Sequence, residues 1–288
     1  MLRNFFLILF LLIQTLALAQ NRKALVVGIG EYQDPQWHRI SGDRDVGLVR
    51  RYLGINGFKD ADIRELTNSD ATFRNIRKEF LELAKSAKPG DIVYIHFSAH
   101  GQQVTDLDGD EPDGYDEAIV PYDAFKEYRK GVYEGEHHIT DDTLFCWLSV
   151  LKDRVGESGK IVVVSDACHS GDGSRDDDGE LTVRGTSGKF IIPGSASMLP
   201  SETNKKLRWT YISACKSYQS NYEYIERESG NSFGRLTYMI HKMHGLGKAL
   251  SEIPAGEYGK QLRLLFGDVC EIPQTPGVES FRMDLPVF

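Results

Sequence analysis

Very little in these 288 residues can hold the chain together by cross-linking. Four cysteines, Cys146, Cys168, Cys215 and Cys270, are too few for a disulfide framework in a chain of this length. No dense run of Lys and Arg appears and the formal net charge is −8, which excludes a nucleic-acid surface. No internal repeat is present. One long apolar run, Phe5 to Ile13, stands out, and it is too short and too weakly flanked for a transmembrane span.

That run has another reading. "MLRNFFLILFLLIQTLALAQ" places Arg3 before the apolar stretch and Ala17 and Ala19 at an A-x-A-like site, the pattern of a secretory signal peptide cut after Ala19, with an uncleaved membrane anchor as the alternative. The expectation is an exported protein, periplasmic or secreted, in an oxidising setting where disulfides persist. The composition, 41% hydrophobic and 26% charged, is that of a globular protein with a real core.

From Lys23 onward, strand-like and helix-like stretches alternate. "KALVVGIG" (23–30), "DIVYIHFS" (91–98) and "KIVVVSDA" (160–167) are short, nearly continuous apolar runs, as expected of strands buried on both faces. Between them, 43–55 and 69–87 carry helical spacing, the second with Ser69 or Asp70 as its cap, and "TDDTLFCWLSVLKD" starts another helix. Such alternation predicts an α/β fold, a three-layer α/β/α sandwich around a mostly parallel sheet. The Gly-, Ser- and Asp-rich stretch 172–206 breaks the pattern, so one domain over 20–288 is expected, with a large part to about 171 and a small part from about 207.

Two strands end in chemistry. Residues two apart on a strand share a face, so Ser98 and His100 in "FSAHG" point one way, as do Asp166 and Cys168 in "SDACHSG". If the strands are neighbours, the four groups converge at the carboxyl rim of the sheet, where ligands bind in such folds. A Cys with a His makes a nucleophile–base pair. The backbone N–H groups of Gly101 and Cys168 are placed to hold a developing oxyanion. His96, His100 and Cys168 are zinc-ligand types, but no closed set of four at familiar spacing appears, and His96 reads as a packed polar residue. Cys146 and Cys215 sit in apolar runs and read as core, and His137 and His138 as solvated loop residues.

"FSAHG" with "SDACHSG" resembles the metacaspases and related caspase-like cysteine peptidases of clan CD, and the likeness runs on through "DGYDEAIVPYD", "ITDDTLF" and "YISACKSYQSNYE". It departs in one place: Ala99 stands where the family usually has Gly. The resemblance implies a caspase-like fold in an exported bacterial member, with His100 and Cys168 as the catalytic dyad. It also implies a pocket for Arg or Lys lined by Asp45, Ser98 and Asp166, so the partner is a peptide or protein substrate with a basic residue at the cleaved bond. No organic cofactor and a monomeric state are expected.

The loop "TDLDGDEPDGYDE" (105–117) crowds seven carboxylates. Starting at Asp106 it nearly fits an EF-hand, but Glu111 occupies the position that needs Gly, and that motif is rejected. The resemblance implies instead an activating calcium ion at Asp116, Asp141 and Asp142, with Asp172 or Asp176 as further candidates. Self-cleavage is expected within 172–206, at Arg175, Arg184, Lys189, Lys205 or Lys206, because flexible exposed loops are preferred cutting sites. Two alternatives share the fold: a catalytically silent protein-binding module, and a transpeptidase or ligase, which would pass through the same thioester.

Overall fold

Strands that are apolar on both faces need cover on both sides, and the chain supplies it. The structure is a computed structural model that describes residues 20–169, 182–194, 206–245, 253–269 and 274–287. The expected signal peptide, Gly171, Arg175, Lys205, Cys270 and the candidate ligands Asp172 and Asp176 lie outside the described residues. The three runs become β1 (Arg22–Gly28), β3 (Ile92–Ser98) and β7 (Lys160–Asp166). With β2 (Ile63–Thr67), β8 (Thr210–Ser213) and β11 (Gly277–Ser280) they form one six-stranded sheet in the order β11-β8-β7-β3-β1-β2. All neighbours are parallel except β11 against β8.

Alternation along each strand sorts the core into two layers. Ala24, Val26, Tyr94, Val162 and Val164 pack against α1 (Gly42–Ile55), α4 (Arg235–Gly245) and α5 (Ala255–Val269). Leu25, Val27, Ile95, Phe97 and Val163 face α2 (Phe73–Ser86) and α3 (Asp141–Val155). α2 begins later than its periodicity suggested: Ser69 and Asp70 form a separate 3₁₀ turn, and Thr72 caps the helix by accepting from the Asn75 N–H at 3.2 Å. Among the described residues no helix is long and apolar enough to cross a membrane.

Two small sheets stand at the carboxyl rim. β4 (Gly101–Thr105), β5 (Tyr115–Ile119) and β6 (Ile139–Thr140) form one, and β9 (Glu223–Ile225) with β10 (Ser232–Gly234) the other. The part of 172–206 that is described is not a solvated loop. Phe190 is buried and exchanges backbone hydrogen bonds with Gln103 and Thr105 at 2.8 and 3.0 Å, which straps residues 182–194 across the site.

Candidate active site

β3 and β7 lie side by side in register, Ser98 against Asp166, so the chain places the ends "SAHG" and "DACH" together. His100 is fully buried between the rings of Tyr32 and Trp37, whose centroids are 5.1 and 5.0 Å away, with the edge of His38 at 4.5 Å. Its backbone N–H donates to Tyr32 Oη at 2.7 Å. Its Nε2 lies 2.9 Å from the His38 carbonyl, which only accepts, so Nε2 carries the proton and Nδ1 keeps its lone pair. Nδ1 is buried and has no hydrogen-bond partner among the described residues, the state a waiting base requires. Burial, reinforced by His38, holds this imidazole well below its usual value, so it stays neutral far into the acid range.

The pocket beside this pair is filled from within. Arg184 is fully buried, and its guanidinium reaches three carboxylates: Asp45 at 2.8 Å, Glu223 at 3.0 Å and Asp166 at 3.9 Å. Ser98 Oγ accepts from Arg184 and donates to Asp45, both at 2.5 Å. Asp45 is no helix cap. It accepts from the Gly234 N–H at 3.0 Å and points into the pocket from the first turn of α1. Burial pushes its carboxyl up to about 7, against Arg184 and with the nearby Asp166. Asp166 stands one step back, held by the Thr237 N–H and hydroxyl at 2.8 and 2.7 Å and by Asn221 at 2.8 Å. A side chain at Gly234 would have its Cβ 2.2 Å from Asp166, so glycine there leaves the pocket open.

The backbone around Arg184 is held as an added strand. Val183 pairs antiparallel with Tyr222, the Arg184 N–H donates to the Asn221 carbonyl at 2.8 Å, and the Glu223 N–H donates to Thr182 at 2.8 Å. His38 Nε2–H donates to the Val183 carbonyl at 2.8 Å. The Cys168 N–H donates to the Arg184 carbonyl at 3.0 Å. Gly185 follows against Cys168, so close that a Cβ would sit 2.4 Å from the Cys168 carbonyl. The Arg184–Gly185 peptide bond therefore rests at Cys168, its carbonyl on one of the two N–H groups expected from the sequence.

Several assignments change. Glu223 was not anticipated: it comes from a three-residue strand far along the chain, too short to show a periodicity. Its Oε1 accepts the Ser41 N–H and hydroxyl, both at 2.6 Å, at the start of α1. Burial opposes its charge, but Arg184 and the hydroxyls of Ser232 and Ser41 outweigh it and hold its carboxyl below the usual value. His38 and Asn221, on irregular backbone, were likewise missed. His138 is buried, bonded to Tyr133 Oη and Gln102 at 2.8 and 3.1 Å, not solvated. His96 is the packed polar residue expected, bonded to Tyr94 and Thr237 at 3.0 Å each. Cys146 is exposed on α3 and Cys215 is partly exposed, so neither belongs to the core.

The acidic loop folds into clusters. Asp106, Asp110 and Asp116 bring carboxylate oxygens within 4.8 Å of one another, as do Asp108, Asp110 and Asp142. Asp106 caps its own turn by accepting from the N–H groups of Asp108, Gly109 and Glu111. Asp116 is buried with Oδ1 lacking a partner among the described residues, and burial followed by Asp141 pushes its carboxyl up to about 8. A hard divalent cation fits such all-oxygen, over-charged surroundings. Asp141 and Asp142 open α3 but do not cap it, since Thr140 accepts the Thr143 N–H at 3.2 Å.

Comparison with known proteins follows the same line. The family described as metacaspase, peptidase C14 domain, matches residues 22–174. Metacaspase-1B of Aspergillus terreus is 36% identical over 159 residues, 52% of this chain and 38% of that protein. Metacaspase-6 of Arabidopsis thaliana is 32% identical over 205 residues, 65% of this chain and 47% of that protein. The chain thus spans less than half the length of these relatives. Among solved structures, caspase-1 of Spodoptera frugiperda superposes with a TM-score of 0.61 at 10% identity, covering 93% of this chain and 91% of that one. A protein from Geobacter sulfurreducens gives 0.62 at 21% identity, covering 90% and 92%. At such identities the likeness is one of fold, and the fold is caspase-like.

Proposed function

The chain belongs to the metacaspase family, and from that premise we propose that it is a cysteine endopeptidase that cuts after Arg or Lys and first cuts itself after Arg184. Cys168 attacks the carbonyl carbon. His100 Nδ1 takes the thiol proton and returns it to the leaving amine, while the His38 carbonyl keeps the ring in the required tautomer. The Cys168 N–H, joined by Gly101, stabilises the oxyanion. Asp45, Glu223 and Asp166 with Ser98 hold the basic side chain through charge-assisted hydrogen bonds. One observation carries the reading: Arg184 occupies a three-carboxylate pocket with its own carbonyl on the Cys168 N–H.

Calcium is proposed at the acidic loop, where the expected holders fall in two clusters, Asp116 with Asp106 and Asp110, and Asp142 with Asp108 and Asp110, while Asp141 belongs to neither. Bound there, it would neutralise carboxylates crowded beside the strand that leads from His100. Self-processing is tested by terminal sequencing of purified protein. A new N-terminus at Gly185 is expected in the wild type and none in Cys168→Ala. Cuts only elsewhere, or identical nicking in the mutant, would overturn the reading. An exported location follows from the leader alone and is tested by cell fractionation, with intact leader in the cytoplasm counting against it.

A further inference from the structure

The peptidase chemistry leaves one thiol beside the nucleophile without a task. Cys215 Sγ lies 3.6 Å from Cys168 Sγ. Register explains the approach: β7 and β8 are parallel neighbours with Ser165 opposite Ser213, so Cys168 and Cys215 leave the sheet together, a few residues past the same rung. Both sulfurs turn to one acceptor, the Gln219 carbonyl, at 3.0 and 3.2 Å. Cys215, though not the buried Cys168, borders an open cavity of about 730 Å³ that also includes Ala167 and His169, the residues flanking Cys168, so a small polar oxidant can come as near as the partner thiol. Its hydrogen bond with Cys168, and then burial, push the Cys215 thiol up, so it remains a protonated donor beside the nucleophile.

We propose that Cys215 is a resolving cysteine, which captures a peroxide-oxidised Cys168 as a Cys168–Cys215 disulfide and so turns the enzyme off reversibly. In the first step the Cys168 thiolate attacks hydrogen peroxide. The O–O bond breaks, one oxygen stays on sulfur as a sulfenic acid, and the other leaves as hydroxide. Sulfur gives up two electrons and peroxide takes them. In the second step the Cys215 sulfur displaces the sulfenic oxygen, which departs as water with the Cys215 proton. The sulfurs must close from 3.6 Å to about 2.05 Å, a side-chain movement between two rim residues already facing each other. An external dithiol returns two electrons and restores both thiols. Without Cys215 the sulfenic acid persists and a second peroxide carries it to the irreversible sulfinic acid.

The test treats full-length protein with a several-fold molar excess of hydrogen peroxide, enough for the two equivalents per thiol that sulfinic acid requires, blocks remaining thiols, and maps cysteine peptides by mass spectrometry. A Cys168–Cys215 linked peptide, lighter by two hydrogens, is expected, and dithiothreitol should return the wild type to its starting rate. Cys215→Ser and Cys215→Ala, each normalised to its own untreated rate, should lose activity permanently at the same dose, with Cys168 found as sulfinic acid. Sulfinic acid in the wild type without the linked peptide would overturn the proposal. So would a link from Cys168 to Cys146 or Cys270 instead, or full recovery of both variants. The proposal uses the peptidase reading only for its activity readout. Protein that forms the link but cuts no basic substrate sinks that reading alone, and protein that cuts but never forms it sinks this one.

Discussion

At the scale of single residues, the pocket carboxylates are not equivalent. Asp45 meets the guanidinium at 2.8 Å, whereas Asp166 stands at 3.9 Å with its oxygens engaged by Thr237 and Asn221. Of the two, Asp45 makes the direct contact and Asp166 supports from behind. Losing one partner of a buried charge pair costs on the order of 2–5 kcal/mol, roughly thirtyfold or more in kcat/KM. Asp45→Asn should cost that on Arg substrates and little on neutral ones. Asp166→Asn should show smaller selectivity and a lowered melting point, since the first turn of α4 loses its acceptor. Equal losses on all substrates for Asp45→Asn would make Asp45 structural. The same residue sets a pH dependence. With its carboxyl at about 7, the ionised fraction grows as pH rises through neutrality, so binding of a basic side chain strengthens with pH and is lost in acid. His100 stays neutral throughout that range, so the acid limb of kcat/KM belongs to Asp45. Asp45→Asn should flatten it at a lower plateau, and an unchanged limb would reassign it.

At the scale of elements, the β4–β5 hairpin ties the acidic loop to the proposed base, for β4 begins at the residue after His100. A cation on Asp116 would therefore order the strand that fixes His100. Chelation should slow cleavage, calorimetry should record calcium binding, and Asp116→Asn or Asp141→Ala paired with Asp142→Ala should abolish both responses. Full activity in chelator together with no heat of binding would leave the loop as a solvated acidic turn. How much of this was legible follows from periodicity. Long parallel strands announce themselves by composition, and their two-residue alternation located His100, Cys168, Ser98 and Asp166. Asp45 came only from the family resemblance, since its place at the start of a helix reads equally as a cap. Glu223 sits on a three-residue strand and His38 on irregular backbone, where no period exists to read. Cys215 was misread because an apolar run that finishes a strand looks the same whether its last residue packs inward or lies at the rim beside another thiol.

At the scale of the whole molecule, the proposed cut after Arg184 could be made by its own chain or by a neighbour. Thr182 to Arg184 pair with Asn221 to Glu223 of the same chain, and Arg184 is fully buried. Presentation to another molecule would require withdrawing the guanidinium from three carboxylates. Breaking a buried ion pair costs about 3–5 kcal/mol, which leaves the withdrawn state on the order of a hundredfold to a thousandfold less populated. Intramolecular presentation has no such cost and needs no encounter. The first cut should therefore be first order: diluting the protein a hundredfold should leave the fraction cleaved at a given time unchanged. Active enzyme added to Cys168→Ala protein should leave its Arg184–Gly185 bond intact over the time in which the wild type processes itself. The measurement is a gel time course across dilutions with terminal sequencing of the fragments. A half-time that lengthens in proportion to dilution would mean cutting between molecules, and the buried pose of Arg184 would then be only an inhibitory plug.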